Sequence, residues 1–135
     1  MATILQFEEL EIWQLARAQS TDFEKIVQVS SLAHDYSLRN QMNASSGSVM
    51  DCIAEGFERS GNAEFRNFLF IAKGSNGEYR SQLYRCLDRN HITKQLFEEF
   101  YRKNILLGKK IMAFILYLQN SSFRGQRHKK NNAST

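Results

Sequence analysis

Apolar residues recur along much of the chain at alternating steps of three and four positions, the spacing of one face of an α-helix. The segments from about Phe7 to Val29 and from about Leu38 to Glu58 both follow this spacing. The stretch Asn43 to Ser48 has the composition of a loop, but the apolar spacing continues through it. We therefore predict a helix over each segment. The recurring residues are Phe7, Leu10, Trp13, Ala16, Phe23 and Ile26 in the first, and Leu38, Met42, Ser45, Val49, Cys52 and Ile53 in the second.

Two more helices are predicted in the second half of the chain. One runs from about Ala63 to Arg89, and the other begins after Thr93, a residue type that favours helix N-caps, and continues to about Leu118. The chain contains no proline, which breaks helix interiors. Long helices joined by short loops pack beside each other in opposite directions. The sequence therefore predicts the all-α class, as an antiparallel up-down-up-down four-helix bundle over residues 1–120.

Residues 121–135 form a separate segment that is rich in serine, asparagine and basic residues and lacks helical periodicity. We expect a flexible basic tail, which either attracts phosphates without sequence preference or serves only to keep the protein in solution. The formal net charge of +4 equals the charge of the tail, so the predicted bundle is close to neutral. The tail cations are Arg124, Arg127, Lys129 and Lys130.

The sequence lacks the features that characterise several classes of protein. The start Met1 to Leu10 does not resemble a signal peptide, and the longest apolar run, Ile111 to Leu118, is too short to span a bilayer, so we expect a cytoplasmic protein. Cys52 and Cys86 lack the CxxC spacing of zinc or redox sites and are expected to be reduced thiols. The chain also lacks a phosphate-binding loop, a nucleophile motif and paired Glu-x-x-His motifs. We predict no catalysis, no metal and no cofactor.

Four basic residues at seven-residue intervals share one side of the predicted third helix, because seven residues complete nearly two helical turns. Phe70 and Tyr84 lie on the same side, where aromatic rings can stack on bases while cations contact phosphates. The other interpretation is a solvated face that pairs with the acidic first helix. The candidate nucleic-acid-binding residues on this side are Arg59, Arg66, Lys73 and Arg80.

The predicted fourth helix carries more apolar residues than a single core-facing side requires. We expect Ile111 and Ile115 to be buried between helices. Part of the remaining apolar surface is expected to be covered only when copies of the chain assemble. Gly74 and Ser75, which fall inside the third helix, are expected to allow tight helix packing.

Two short motifs in a fixed order resemble the 23S rRNA-intervening-sequence family of four-helix-bundle proteins. They are Ile53-Ala54-Glu55-Gly56 and Ala72-Lys73-Gly74-Ser75, with Gln41, Ser48, Arg59, Glu64-Phe65 and Glu78 at matching positions. The opening pattern Phe7-x-x-Leu10-x-x-Trp13-x-x-Ala16 is similar to the first helix of that family. The resemblance covers about Phe7 to Leu118.

The resemblance implies a bacterial bundle that assembles into a ring-shaped homo-oligomer, typically a pentamer. It also implies a connection with RNA, because members are often encoded within intervening sequences of rRNA genes. Related bundles are accessory proteins of diversity-generating retroelements, where they bind nucleic acid and a reverse transcriptase. The family has no established catalytic residue. With this resemblance, Glu55 is expected to make a buried or inter-subunit polar contact and Gly56 to occupy a turn.

Three hypotheses about function follow. The leading one is a non-catalytic homo-oligomer that binds RNA or DNA, including an accessory role in a ribonucleoprotein. The alternative is a ring-shaped scaffold that binds a protein partner without nucleic acid, supported by the apolar excess of the fourth helix. The third, a helical-bundle metalloenzyme, rests only on scattered histidines and on the carboxylates Asp51, Glu55 and Glu58.

Overall fold

A computed structural model describes residues 3–59 and 61–120, which fold into four α-helices with two short 3-10 turns. The prediction of an all-α four-helix bundle is confirmed. The predicted tail, residues 121–135, lies outside the described residues. In chain order the elements are the turn Phe7–Glu9, α1 Glu11–Val29, the turn Ser31–His34, α2 Tyr36–Glu58, α3 Asn62–Asp88 and α4 Lys94–Gln119.

The start of the first helix differs from the prediction. Leu10 has an extended backbone (φ −75°, ψ 127°), which separates the turn Phe7–Glu9 from α1, so that α1 begins at Glu11. The carboxylate of Glu9 accepts two main-chain N–H groups just before the turn, at 2.9 and 2.8 Å. Of the glutamates at the start of the chain, Glu8 and Glu9 therefore lie in the 3-10 turn, and Glu11 lies in the first turn of α1.

Side-chain caps and a left-handed residue define the other helix ends. Asp35 accepts the N–H of Leu38 at 3.4 Å to cap α2, and Thr93 accepts the N–H of Leu96 at 3.1 Å to cap α4, as predicted. Asn90 follows α3 with φ +61°, a conformation that asparagine tolerates better than most residues. Because these residues end one helix and begin the next within a few positions, the loops are short and neighbouring helices lie side by side.

The contacts between α3 and α4 run in opposite order along the two helices. Arg66, near the start of α3, reaches the carbonyl of Leu118 near the end of α4. Tyr84, near the end of α3, packs on Phe97 near the start of α4, with ring centroids 4.8 Å apart. The two helices are therefore antiparallel, and one long edge of α3 lies along α4.

The apolar core is divided into two clusters, one toward each end of the bundle. Ile111 and Ile115 are fully buried in the first cluster, which confirms their predicted burial. The first cluster consists of Leu10, Ile12, Ala16, Val49, Ile53, Phe57, Phe65, Leu69, Ala72, Leu107, Ile111, Ile115 and Leu118. The second consists of Phe23, Ile26, Leu32, Leu38, Met42, Tyr79, Leu83, Cys86, Ile92 and Phe97.

A layer of buried amides lies between the two clusters. Asn104 of α4 donates to Gln19 of α1 at 2.8 Å and to the side chain of Asn76 of α3 at 3.0 Å. Gln19 in turn donates to Asn76 at 3.0 Å, so the three side chains close a ring of hydrogen bonds. Each of the three is at most 6% exposed. Buried amides that satisfy one another fix the relative positions of the helices that carry them.

The loop-like stretch of the second segment is helical, as the apolar spacing predicted. Ser45 and Ser46 are buried, and their hydroxyls donate to main-chain carbonyls three residues earlier, at 3.3 Å each. The single hydrogen of the Ser45 hydroxyl is shared with the side-chain oxygen of Gln82 of α3, which is the nearer acceptor at 2.6 Å. Small side chains that satisfy their own polar groups let α2 lie close to α3.

Gly56 does not occupy a turn, which corrects the expectation from the resemblance. It is buried inside α2, where a Cβ atom would lie 2.7 Å from Cβ of Phe68 and 2.9 Å from a ring carbon of Phe65. The glycine is therefore required for the close approach of α2 and α3. The glycine of the turn is Gly61, which has φ +91°.

The remaining residues of the two motifs have different environments. Glu55 is exposed and pairs with Arg59 at 2.8 Å, so the expectation of a buried contact is wrong within this chain, and a contact between copies stays a prediction. A Cβ atom at Gly74 would meet nothing within 4 Å, so this glycine does not permit close packing within the described chain. The Ser75 hydroxyl lies 2.9 Å from that of Ser48 and links α3 to α2.

Many of the additional apolar side chains of α4 pack against other helices of the same chain. Phe114, for example, packs on Phe65 with ring centroids 5.6 Å apart. Leu106 and Leu116 remain 47% exposed. Within the described parts of the chain, no helix combines the length and apolarity that crossing a membrane requires.

Candidate nucleic-acid interface

Three of the four predicted basic residues lie along the edge of α3 that faces α4. Arg66 donates to the carbonyl of Leu118 at 3.5 Å, and Arg80 donates to the side chain of Asn104 at 3.2 Å. Lys73 lies midway between these arginines on the same helical side and is exposed. The structure thus brings Arg66, Lys73 and Arg80 together beside the groove between α3 and α4, which we call the α3–α4 groove.

Arg59 is separated from this group. It follows the last turn of α2, where its guanidinium pairs with Glu55 at 2.8 Å and with Glu64 at 3.1 Å. It also lies over the ring of Phe68, 5.1 Å from the centroid. The hydrogen bond to Glu55 raises the pKa of Arg59. Because two carboxylates offset its charge, Arg59 stabilises the α2–α3 turn and adds little positive potential to the groove.

The later part of α4 is basic. From residue 100 to residue 120 the chain contains Arg102, Lys103, Lys109 and Lys110 and no aspartate or glutamate, whereas Glu98 and Glu99 lie in the earlier part of the helix. Arg102 and Lys109 are exposed. With the basic residues of α3, these two cations add to the positive potential around the groove.

The acidic side chains of α1 pair with α4. Glu11 contacts Lys110 at 2.8 Å, and Asp22 contacts Lys103 at 3.2 Å. The alternative interpretation, in which the basic side of α3 pairs with α1, is therefore wrong for the ion pairs of the described residues. The physical reason is that α4 lies beside α1, whereas the basic edge of α3 faces α4.

Two aromatic side chains border the basic edge. Phe70 and Tyr84 are each 47% exposed. One side of the Tyr84 ring packs against Phe97 and Tyr101, with centroids at 4.8 and 6.1 Å, which holds the ring in place. The predicted combination of cations and aromatic rings on one side of α3 is present. The four tail cations, Arg124, Arg127, Lys129 and Lys130, lie outside the described residues.

The amide layer behind Arg80 was not foreseen. Asn104 is fully buried, and its carbonyl oxygen atoms accept from both neighbours in α3: the side-chain oxygen accepts from Arg80, and the main-chain oxygen accepts from Asn76 at 3.1 Å. A half-buried guanidinium held by a buried amide has fewer conformations than an unsupported surface arginine. The layer therefore orients Arg80 at the groove.

A second unforeseen group joins the loop before α2 to the loop before α4. Ser31 Oγ lies 2.6 Å from His91 Nδ1, and His91 Nε2 lies 2.8 Å from a carboxylate oxygen of Asp35. Arg89 donates to the same oxygen at 2.9 Å. The contact with His91, followed by that with Arg89, lowers the pKa of Asp35 to about 2. Since Asp35 also caps α2, these contacts tie both loops to one helix end.

Residues that bind metals or act as nucleophiles are dispersed in the rest of the described chain. Within residues 3–59 and 61–120, no three histidine, cysteine, aspartate or glutamate side chains gather in a group able to hold a metal ion. Cys52 is half-buried and Cys86 is buried, and both are free thiols. Burial raises the pKa of Cys86 to about 12, which makes its thiol a poor nucleophile.

Comparisons with known proteins agree with the bundle. Among solved structures, the chain is similar to a protein of unknown function of the S23 ribosomal protein family from Bacteroides thetaiotaomicron, with a TM-score of 0.69 and 18% sequence identity over 77% of this chain and 97% of that chain. No match was found among proteins of curated function. The sequence profile described as 23S rRNA-intervening sequence protein matches residues 8–113. The chain therefore belongs to the 23S rRNA-intervening sequence protein family.

Proposed function

We propose that this protein is a non-catalytic homo-oligomer of the cytoplasm that binds nucleic acid along the α3–α4 groove. The observation that carries the proposal is the charge at this groove. Arg66, Lys73 and Arg80 follow one edge. The adjoining helix α4 adds Arg102 and Lys109, which are exposed and form no ion pair within the described residues, whereas Lys103 and Lys110 pair with acidic side chains of α1.

A polyanion is the partner that such a surface attracts. Lysine and arginine side chains that contact the phosphates of nucleic acid displace the counterions bound there. The release of these counterions favours binding at low salt. The basic tail would add four further cations if it reaches the same strand. The family description names an rRNA-intervening sequence, and the structural neighbour is assigned to a ribosomal protein family, which supports RNA as the first ligand to test.

Self-association is supported by exposed apolar side chains of α3 and α4. Ile71 is two residues before Lys73, or about 200° around α3, and is 53% exposed. Leu106 is 47% exposed and lies four residues after Arg102, on the same side of α4. Copies that contact each other through Ile71 leave the basic edge of α3 free. Light scattering at micromolar concentration should give a multiple of the chain mass, five by resemblance to the family, and the mass of a single chain would contradict self-association.

The charge proposal is tested with a double variant, Lys73→Glu with Lys109→Glu. Both side chains are exposed, and no ion pair holds either of them within the described residues, so their replacement leaves the core intact. The matched control is Arg17→Glu with Lys25→Glu, which makes the same change of charge at exposed positions of α1. The groove variant should lose most of its affinity for RNA, and the control should lose little. An equal loss of RNA affinity in both variants would show that binding depends only on net charge, which would contradict binding at the groove.

A protein scaffold is the second candidate function, and the exposed Ile71 and Leu106 favour it. Capture of partners from a bacterial lysate, before and after nuclease treatment, separates the two functions. Protein partners that remain after treatment favour the scaffold, whereas partners that disappear favour nucleic-acid binding.

A further inference from the structure

The edge of α3 beside the groove carries two parallel rows of residues at seven-residue intervals. Phe70, Gly77 and Tyr84 form one row, and Arg66, Lys73 and Arg80 form the other. Residues four apart differ by only about 40° around a helix, so the rows lie side by side. We call them the aromatic row and the basic row. The first and last positions of the aromatic row are fourteen residues apart, or about 21 Å along the helix.

The aromatic row has a half-exposed ring at each end and no side chain in the middle. Phe70 and Tyr84 are each 47% exposed, although large aromatic side chains favour burial. A Cβ atom at Gly77 would meet nothing within 4 Å, so the space above the helix is open between the two rings. A glycine at such a position lets a ligand approach the helix backbone closely.

The basic row is partly held in place before any ligand binds. Arg80 uses one N–H for the buried Asn104, and its guanidinium has five N–H donors in total. Arg66 similarly contacts the carbonyl of Leu118. Side chains that are already restrained lose less entropy on binding than free ones. Arg66 and Arg80 therefore present restrained donors next to the half-exposed rings.

A single strand is the form of nucleic acid that fits adjacent rows of rings and cations. In a duplex the base faces are stacked on one another and are unavailable to protein side chains. In a single strand the bases can stack on aromatic rings while the backbone follows a basic groove. We propose that Phe70 and Tyr84 stack bases of single-stranded nucleic acid whose phosphates lie along the basic row. This inference rests on the proposed function and specifies its ligand.

The test compares ring removal with ring retention at each position. Phe70→Leu and Tyr84→Leu keep apolar volume and remove the ring, whereas Phe70→Tyr and Tyr84→Phe keep it. Fluorescence anisotropy is measured for the full chain with a uridine oligoribonucleotide of about ten nucleotides, a thymidine oligodeoxynucleotide of that length and an RNA duplex. Circular dichroism and the unfolding midpoint of each variant report the state of the fold, which matters for Tyr84 because its ring packs on Phe97.

Stacking predicts a loss confined to single strands. Each leucine variant should bind the single strands about fivefold to a hundredfold more weakly, and the ring-retaining variants should bind them like the parent. The dependence of affinity on salt should stay the same, because the number of phosphate contacts is unchanged. The duplex should bind more weakly than the single strands and should be insensitive to the leucine variants.

The inference and the proposed function fail in different ways. Equal binding of duplex and single strand, with leucine variants that match the parent, would overturn base stacking and leave nucleic-acid binding intact. The absence of binding to all three ligands at low salt would overturn the proposed function and the inference with it. Leucine variants with unchanged RNA affinity but a smaller assembly mass would show that a second copy covers the rings, which also overturns stacking.

Discussion

Asn76 and Asn104 exchange hydrogen bonds between their side chains and each other's backbone. The side-chain N–H of Asn76 donates to the carbonyl of Asn104 at 3.1 Å, and the side-chain N–H of Asn104 donates to the carbonyl of Asn76 at 3.0 Å. Gln19 completes the layer from α1. A shift of α3 along α4 would break both bonds and leave buried polar groups without partners. The pair thus fixes the relative position of the two helices that form the groove.

Removal of Asn104 should destabilise the bundle. In Asn104→Leu the amides of Gln19 and Asn76 lose partners inside the core, and each buried polar group without a partner costs about 1–3 kcal/mol. Asn67→Leu makes the same replacement at an exposed position of α3 and should change the free energy of unfolding by less than about 0.5 kcal/mol. Urea unfolding measures both. Similar stability in the two variants would show that the amide layer contributes little.

Two glycines in neighbouring helices should respond in opposite directions to alanine. Gly56→Ala places a methyl group 2.7 Å from Cβ of Phe68, which can move only with its helix, so we expect a loss of about 1–3 kcal/mol. Gly74→Ala places its methyl group in open space inside α3 and should gain about 0.5–1 kcal/mol through higher helix propensity. Denaturant midpoints give both signs. A stabilised Gly56→Ala variant would contradict the close approach of α2 and α3.

Acid should weaken the link between the two loops that meet at Asp35. The contacts with His91 and Arg89 lower the pKa of Asp35 from its ordinary value of 3.8 to about 2. The carboxylate form therefore stabilises the folded chain fully above pH 3.8, and this contribution disappears as the pH falls toward 2. Asp35→Asn should be less stable than the parent near neutral pH, and the difference should shrink in this window. Thermal unfolding of both proteins across this pH range measures the difference in stability. A difference that stayed constant would contradict the role of the Asp35 carboxylate.

The two cysteines should differ in their reaction with thiol reagents. Cys86 is fully buried and its pKa is raised to about 12, so it should react only when the chain unfolds. Cys52 is half-buried and should react first. In the native state, Cys52→Ser should abolish the rapid phase of thiol labelling, and Cys86→Ser should leave it unchanged. Rapid labelling of Cys86 in the folded Cys52→Ser variant would contradict its burial.

The helices could be predicted because each depends mainly on its own sequence. Apolar spacing was a better guide than the loop-like composition around Ser45 and Ser46. The hydroxyls of these two serines donate to nearby main-chain carbonyls. The same spacing identified Ile111 and Ile115 as core residues. Gly56 was misassigned because a glycine near a helix end resembles a turn, and only the position of the neighbouring helix reveals that it permits close packing.

The contacts that shape the candidate site depend on distant parts of the chain. Gln19, Asn76 and Asn104 each resemble surface residues of separate helices until the three helices are placed side by side. Arg59 shares the seven-residue spacing of Arg66, but the ion pair with Glu64 that offsets its charge forms only after the turn between α2 and α3 has folded. Local sequence therefore predicted which residues share a side of α3 but not which of them are neutralised.

The most direct test of the central claim is the affinity of the full-length protein for single-stranded RNA, measured by fluorescence anisotropy across a series of salt concentrations. Each phosphate contact lowers the logarithm of the binding constant by about 0.7 per tenfold increase in salt. With phosphates on Arg66, Lys73 and Arg80, the account predicts binding at low salt and a slope of about −2 or steeper. The absence of binding at low salt, or binding that does not depend on salt, would contradict it.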